Sequence, residues 1–307
     1  MGDMDTSRNY FLISACTGWG AQIRECETGP DALRNGGCLE KLRIHQVPVV
    51  EWDTLYPLIR HSDRDVALSD ALPLIVDFNQ KLADKVLDIL KRGFFPVVIG
   101  GDHSIAVGTW NGMGNYLGEE PFGMIWIDAH MDSHTTETTP SGAWHGMPLA
   151  ALMGHGELSS SMLERKKPVL LPQNLCLVGV RSFEEGEAEL LNRLNVKIYM
   201  ADEVNERGVQ TVLKEAVAHV TKRTKKFCVS LDMDVIDPTE APGVGSPEPG
   251  GLSADELIKA LAFIGKDERL TGFELVEFNP VRDQEKKTFS LCYRILSAVL
   301  SGGKSNG

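Results

Sequence analysis

The stretch MIWIDAHMDSH, Met124 to His134, sets four apolar residues directly against Asp128, His130 and Asp132. Met124, Ile125, Trp126 and Ile127 read as a buried strand, and the polar side chains that crowd its carboxyl end each prefer water or a cation. The apolar half of this pattern recurs along the chain. Runs rich in Val, Ile, Leu and Phe stand at YFLISA (10–15), VPVVEW (47–52), FPVVIGG (95–101), MIWID (124–128), LCLVGV (175–180), VKIYM (196–200), FCVSLDMD (227–234) and TGFELVEF (271–278). Helices are expected over 73–92, 206–221, 253–265 and 284–300, with Ser253 and Glu256 at the spacing of a capping box for the third. This alternation implies an α/β fold of βαβ units, with a mostly parallel sheet covered on both faces. No linker or repeat interrupts the chain, so residues 1–307 read as a single domain. The Gly- and Pro-rich loops 133–148 and 237–251 follow strands and read as functional loops of that domain, while the tail SGGKSNG (301–307) reads as flexible.

Composition narrows the partners. An apolar fraction of 42% and a charged fraction of 24% over 307 residues are those of a globular protein with a large core. A net charge of -12 and a pI near 5.2 argue against nucleic acid or anionic lipid, which are held by clustered Lys and Arg, and suit a small cationic substrate. No apolar run approaches the roughly 20 residues of a membrane helix, and MGDMDTSRNY lacks the regions of a signal peptide. A cytoplasmic protein is therefore expected. MGDMDT loosely fits an N-myristoylation pattern, but two acidic residues and no basic cluster speak against it. Six scattered cysteines without a C-x-x-C pair read as buried or idle thiols.

Three of the strands end in polar residues of the metal-ligand type. Asp102 and His103 follow PVVIGG, Asp128, His130 and Asp132 follow MIWI, and Asp232 and Asp234 follow CVSL. In an open parallel sheet such ends converge on one crevice. On an extended chain the i, i+2 spacing points both carboxylates to one side. Each cluster also has a plainer reading, as an acidic turn or a helix cap, with Ser104 a capping candidate in GGDHS. Taken together, several carboxylates in one crevice disfavour joint ionisation unless cations neutralise them. Two imidazoles and four carboxylates are too many ligands for one tetrahedral zinc and suit two bridged ions, with Mn²⁺ favoured by the oxygen-rich set.

GGDHS (100–104), DAHMDSHTTETTPSGAWHGMP (128–148), SLDMDVIDP (230–238) and ELVEFNP (274–280), in that order, resemble the signature blocks of the ureohydrolases, the arginase and agmatinase family. The likeness begins at GWGAQIRECETGPDALR (18–34) and runs to the last helix, and the loop from Asp132 to His145 is similar to the arginase branch. The resemblance implies a three-layer α/β/α fold with a central, mostly parallel eight-stranded sheet. It implies two Mn²⁺ per chain: His103 and Asp132 on one, His130 and Asp234 on the other, Asp128 and Asp232 bridging. A metal-bridging hydroxide would attack the guanidinium carbon of L-arginine, with Asp132 supporting the tetrahedral intermediate, to give L-ornithine and urea. His145 would supply or shuttle a proton to the leaving amine, and Glu277 would pair with the guanidinium. Asp102 reads either as support for the first ligand or as a helix cap. Family members are usually trimers or hexamers, so a homotrimer or homohexamer is expected.

Substrate recognition is where the chain departs from the family. His134, Thr139, Ser141, Ala143 and Glu184 stand where arginases usually read the amino-acid end of the substrate with Asn, Thr, Ser, Asn and Asp; Ser246 in the later loop is grouped with them. His134 retains a donor for a carboxylate and Glu184 an acceptor for an ammonium, but Ala143 offers no hydrogen bond. A lost bond to a charged group is worth about 1.5–3 kcal/mol. Arginase is the leading expectation; a ureohydrolase for guanidinobutyrate, agmatine or formimidoylglutamate is the alternative. A non-catalytic binding relative and a single-zinc deacetylase-like enzyme fit the six-ligand set less well.

Overall fold

The structure, a computed structural model, describes residues 8–61, 66–162 and 167–301. The N-myristoylation motif and all of the expected flexible tail but Ser301 lie outside these residues.

All eight apolar runs form strands of one sheet: β1 (Tyr10–Ala15), β2 (Val49–Leu55), β3 (Phe95–Gly100), β4 (Gly123–Ile127), β5 (Leu175–Val180), β6 (Lys197–Met200), β7 (Phe227–Asp232) and β8 (Leu270–Val276). Their order across the sheet is β2-β1-β3-β8-β7-β4-β5-β6, and every ladder is parallel. Side chains alternate between the faces with the period of two that an extended backbone imposes. On β4, Ile125 and Ile127 enter one core while Met124 and Trp126 enter the other; on β7, Val229 and Leu231 oppose Cys228. In the six inner strands both faces are buried but for Thr271, which is why they read as near-continuous apolar runs, while the edge strands β2 and β6 are partly open to solvent.

Eleven α-helices stand among the described residues: α1 (Gly29–Asn35), α2 (Cys38–Ile44), α3 (Leu72–Lys91), α4 (Ala106–Leu117), α5 (Pro148–Leu152), α6 (Gly156–Met162), α7 (Glu185–Arg193), α8 (Ala201–Arg207), α9 (Val209–Val220), α10 (Ala254–Gly265) and α11 (Lys287–Leu300). The longest, α3, shows why such segments fold as they do. Ile75, Phe78, Leu82, Val86 and Ile89 recur every three to four residues and are buried, so a single stripe faces the sheet. Pro73 sits in its first turn, and Gly93, at φ 80°, follows its end. Each such fully buried side chain contributes about 1.5–3 kcal/mol.

Two expectations need correction. The segment 206–221 is not one helix, because Gly208 at φ 85° separates α8 from α9. Ser253 does occupy the N-cap of α10, but its side chain makes no capping hydrogen bond. The capping box of this protein is at α7, where Glu184 and Glu187 satisfy each other's backbone N–H groups. All six cysteines are buried and free, as their scattered spacing led one to expect. Among the described residues no helix is long and apolar enough to cross a membrane.

Strand order decides where the chemistry sits. Strands β3, β8, β7 and β4 are neighbours, so segments that end at His103, Glu277, Asp232 and Asp128 open side by side although they lie far apart in sequence.

Candidate metal centre

The i, i+2 pairs at the ends of β4 and β7 do not continue as extended chain, as their spacing suggested: Asp232 closes β7 in an extended conformation, and the chain turns tightly after it, as it does after Asp128. Asp128 Oδ1 accepts from the His130 N–H at 2.7 Å, and Asp232 Oδ1 accepts from the Asp234 N–H at 2.8 Å. In each case the second oxygen turns inward. Asp128 Oδ2 lies 3.1 Å and Asp232 Oδ2 3.3 Å from His103 Nδ1, which also stands 2.9 Å from Asp132 Oδ2. His130 Nδ1 lies 3.0 Å from Asp234 Oδ2 and 3.5 Å from Asp128 Oδ1. The capping role and the convergent role are therefore filled by the same side chains: Asp232 gives one oxygen to each, while the capping oxygen of Asp128 also faces His130.

Two triads result, His103–Asp128–Asp232 and His130–Asp128–Asp234, each with its ligand atoms within 4.8 Å of one another and with Asp128 in common. His103 Nδ1 and Asp132 Oδ2 are buried and have no hydrogen-bond partner. The two atoms face each other at 2.9 Å, close to Asp128 and Asp232 but without hydrogen-bond geometry, and this convergence fits a cation between them. Asp132 (φ 47°) and Glu277 (φ 65°) both adopt the left-handed region, at a cost of order 1–3 kcal/mol each that the surrounding contacts sustain.

The support for His103 was not anticipated. Its Nε2 meets Ser230 Oγ at 2.9 Å, and Ser230 in turn donates to Glu274 Oε1 at 2.7 Å. With Nε2 donating, the Nδ1 lone pair points into the centre. The ring stacks on Trp126 at 4.2 Å with planes 10° apart, and the Trp126 Nε1–H donates to Asp128 Oδ2 at 3.0 Å. A signal was present in the sequence, since Ser230 and Glu274 are polar residues inside otherwise apolar strands. Asp102 plays no part in holding the ring. Its Oδ1 accepts from the Ser104 N–H at 2.8 Å, so the capping reading holds, with Asp102 rather than Ser104 as the cap.

Without a cation, protons neutralise the cluster. Burial opposes a charge on His103, but Asp132, Asp128 and Asp232 outweigh it and hold the imidazole well above its ordinary range. His130 behaves likewise: burial works against its charge, and Asp234 and Asp128 prevail. Burial, then Asp234 and Asp128, push Asp232 well up, and burial with Asp128 pushes Asp132 up to about 7.

A cavity of about 240 Å³ opens onto the two triads. Its wall includes His145, whose Nδ1 lies 2.9 Å from Glu277 Oε1, an oxygen that also accepts from the His103 N–H at 2.9 Å. Burial lowers the His145 imidazole, but Glu277 more than offsets this and moves it up to about 9. His134, Ser141, Ala143, Glu184 and Ser246 line the cavity; Thr139 does not, its Oγ1 lying 3.4 Å from Ser141 Oγ and accepting from the Gly142 N–H. His134 and Glu184 face each other, Nε2 to Oε2 at 2.9 Å, rather than standing free. His134 Nδ1 meets Thr138 Oγ1 at 3.1 Å. Gln22, Ser182, Glu187 and Glu248 also line the wall and were not foreseen; Gln22 and Ser182 lie in loops without any ligand pattern. The lining residues include no Lys or Arg, so the cavity favours a cation.

Paired His and Asp triads at the carboxyl ends of a parallel sheet could hold metal ions, the arrangement of a metal-dependent α/β enzyme. A model of the Arginase family matches residues 9–301. The arginase of Bacillus caldovelox is 38% identical over 288 residues, covering 91% of this chain and 94% of its own. Among solved structures, arginase from Bacillus subtilis has a TM-score of 0.87 at 32% identity, with 98% of this chain and 100% of that chain covered. Entamoeba histolytica arginase, solved with L-ornithine, has a TM-score of 0.85 at 27% identity, covering 96% and 99%. The chain belongs to the arginase family, and it is a ureohydrolase.

Proposed function

We propose that the protein hydrolyses L-arginine to L-ornithine and urea with two Mn²⁺ per chain. His103 and Asp132 would hold one ion, His130 and Asp234 the other, and Asp128 and Asp232 would be shared. When bound, such a pair lowers the pKa of a water common to both ions toward about 7, which supplies hydroxide near neutrality. Everything else falls to the side chains. Glu277 accepts from the guanidinium and orients its carbon over the centre. Asp132 accepts a hydrogen bond as water adds there. The bond to the ornithine nitrogen then breaks, and the leaving amine needs a proton.

His145 is equipped to give it. Its imidazole, held up to about 9 by Glu277, carries a proton at neutral pH. A guanidinium that pairs with Glu277 weakens that hold, so substrate binding itself makes His145 a stronger acid. At the far end of the cavity, the α-ammonium would meet Glu184 and the carboxylate His134, once the two part. Ser141 and Ser246 add hydroxyls there.

The observation that carries this reading is the pair of His/Asp triads, with His103 Nδ1 and Asp132 Oδ2 unpartnered, in a cavity free of Lys and Arg. Ala143 favours keeping a second reading, in which the tail of the substrate is not that of an amino acid. Urea release, or formamide release for formimidoylglutamate, measured with Mn²⁺ across L-arginine, agmatine, guanidinobutyrate and formimidoylglutamate separates the two. L-arginine should turn over fastest; rapid turnover of another compound with L-arginine ignored would refute the arginine assignment.

A further inference from the structure

Asp102 is fully buried one residue before His103, yet its side chain turns away from the triads. Its Oδ2 accepts from the Gly20 N–H at 2.9 Å, and its Oδ1 from the Ser104 N–H at 2.8 Å. Its own N–H donates to the Thr17 carbonyl at 3.0 Å. The loop that starts at Thr17 is thus fastened to the end of β3 by one carboxylate. From the same loop the Gly20 carbonyl accepts from the His145 N–H at 3.1 Å. His145 is therefore held at two points, by Glu277 through its ring and by Gly20 through its backbone.

The fit around Gly20 leaves no slack. A Cβ there would lie 2.5 Å from Asp102 Oδ1 and 2.6 Å from Ser104 Oγ. The loop is also pinned from outside, since the Trp19 Nε1–H donates to the Ile59 carbonyl at 2.8 Å. Asp102, Gly20 and the backbone of His145 thus form one hydrogen-bonded chain.

We propose that Asp102 is a positioning residue for His145, acting through Gly20 to set where the imidazole stands over the substrate. This rests on the reading of His145 as the proton donor. The residue touches neither substrate nor cation, and it acts on proton delivery rather than on binding.

The test is a double-mutant cycle on the manganese-loaded full chain, with Asp102→Asn and His145→Ala, singly and together, read as kcat, KM and bound manganese. An amide has one acceptor oxygen for two backbone N–H donors, so Asp102→Asn loses one bond and the carboxylate charge that also acts on His145, without losing volume; Gly20→Ala keeps that charge and separates the two. The variant should lower kcat about tenfold, leave KM within about twofold and leave the manganese content unchanged, since displacing a catalytic group slightly costs rate. On the His145→Ala background the same change should alter the residual rate less than about twofold, because the two act as a unit. Gly20→Ala, which presses on the same carboxylate from the other side, should reproduce this pattern and decides the matter if Asp102→Asn does not fold. Effects that multiply on the His145→Ala background, loss of manganese, or an unchanged kcat would each overturn the proposal. Full activity in His145→Ala alone would instead overturn the reading of His145.

Discussion

Loading the centre with manganese should expel protons, and the number can be worked from the side chains. At neutral pH in the cation-free chain, His103 and His130 each carry a proton that the surrounding carboxylates hold against burial. Burial and its neighbours Asp234 and Asp128 push Asp232 well up, and burial with Asp128 pushes Asp132 up to about 7. Metal ligation requires bare imidazole nitrogens and carboxylates, so loading should release at least the two imidazole protons per chain, with more from the raised carboxylates and one from any water that ionises. The sign of the stability effect follows. The two histidines stabilise the cation-free fold below their ordinary pKa, and that contribution is lost as pH rises through their raised folded values. The raised carboxylates act in the same direction, since above the ordinary carboxylate range the unfolded chain has released protons that the fold retains. The cation-free protein should thus lose stability as pH rises, while manganese binds more tightly over the same range. At a free metal concentration one hundred times the Kd, binding should add about 2.7 kcal/mol for each independent site. Calorimetric titration with Mn²⁺ in buffers of different ionisation enthalpy counts the protons, and thermal unfolding with and without metal checks the sign. Release of one proton or none would refute joint ligation by these side chains.

Three further outcomes are expected. Glu277→Gln removes the largest influence that raises His145, leaving burial to lower it and Asp102 and Asp132 to raise it, so the imidazole titration followed by NMR should fall from about 9 toward the ordinary value of about 6.5; an unmoved titration would show that another group holds the proton. Ser230→Ala frees His103 Nε2 and should weaken manganese binding about 10- to 100-fold in a competition titration, with little change in fold. Ala143→Asn restores a donor at the cavity wall and should lower KM for L-arginine about tenfold, the worth of a hydrogen bond to a charged group, while leaving agmatine unaffected; an equal effect on both would place residue 143 away from the amino-acid end.

How much of this was legible beforehand can be judged from particular residues. The six inner strands were readable because both their faces are buried, and near-continuous apolar runs are the mark of that burial. That His103, Asp128, His130, Asp132, Asp232 and Asp234 would meet in one place was readable because all of them stand at carboxyl ends of strands, and those ends converge in an open parallel sheet. The helix boundary at Gly208 was harder, since a helical periodicity continues through it and only its positive φ breaks the chain. The side-chain cap of α10 failed although Ser253 stands at the right spacing, because spacing does not fix where a hydroxyl points.

By itself, then, the sequence determined which residues are apolar, which can ligate, and at which strand ends they stand, since these are local properties of side-chain type and spacing. The tertiary structure alone decided that β3, β8, β7 and β4 lie side by side, which turns four distant segments into one centre. It alone decided that each turn spends one carboxylate oxygen on the backbone and offers the other inward. It also paired His134 with Glu184 and tied Asp102 to His145 by way of Gly20. The physical reason is that hydrogen bonds and charge interactions depend on distances of a few ångströms between residues far apart in the chain, and only packing sets those distances.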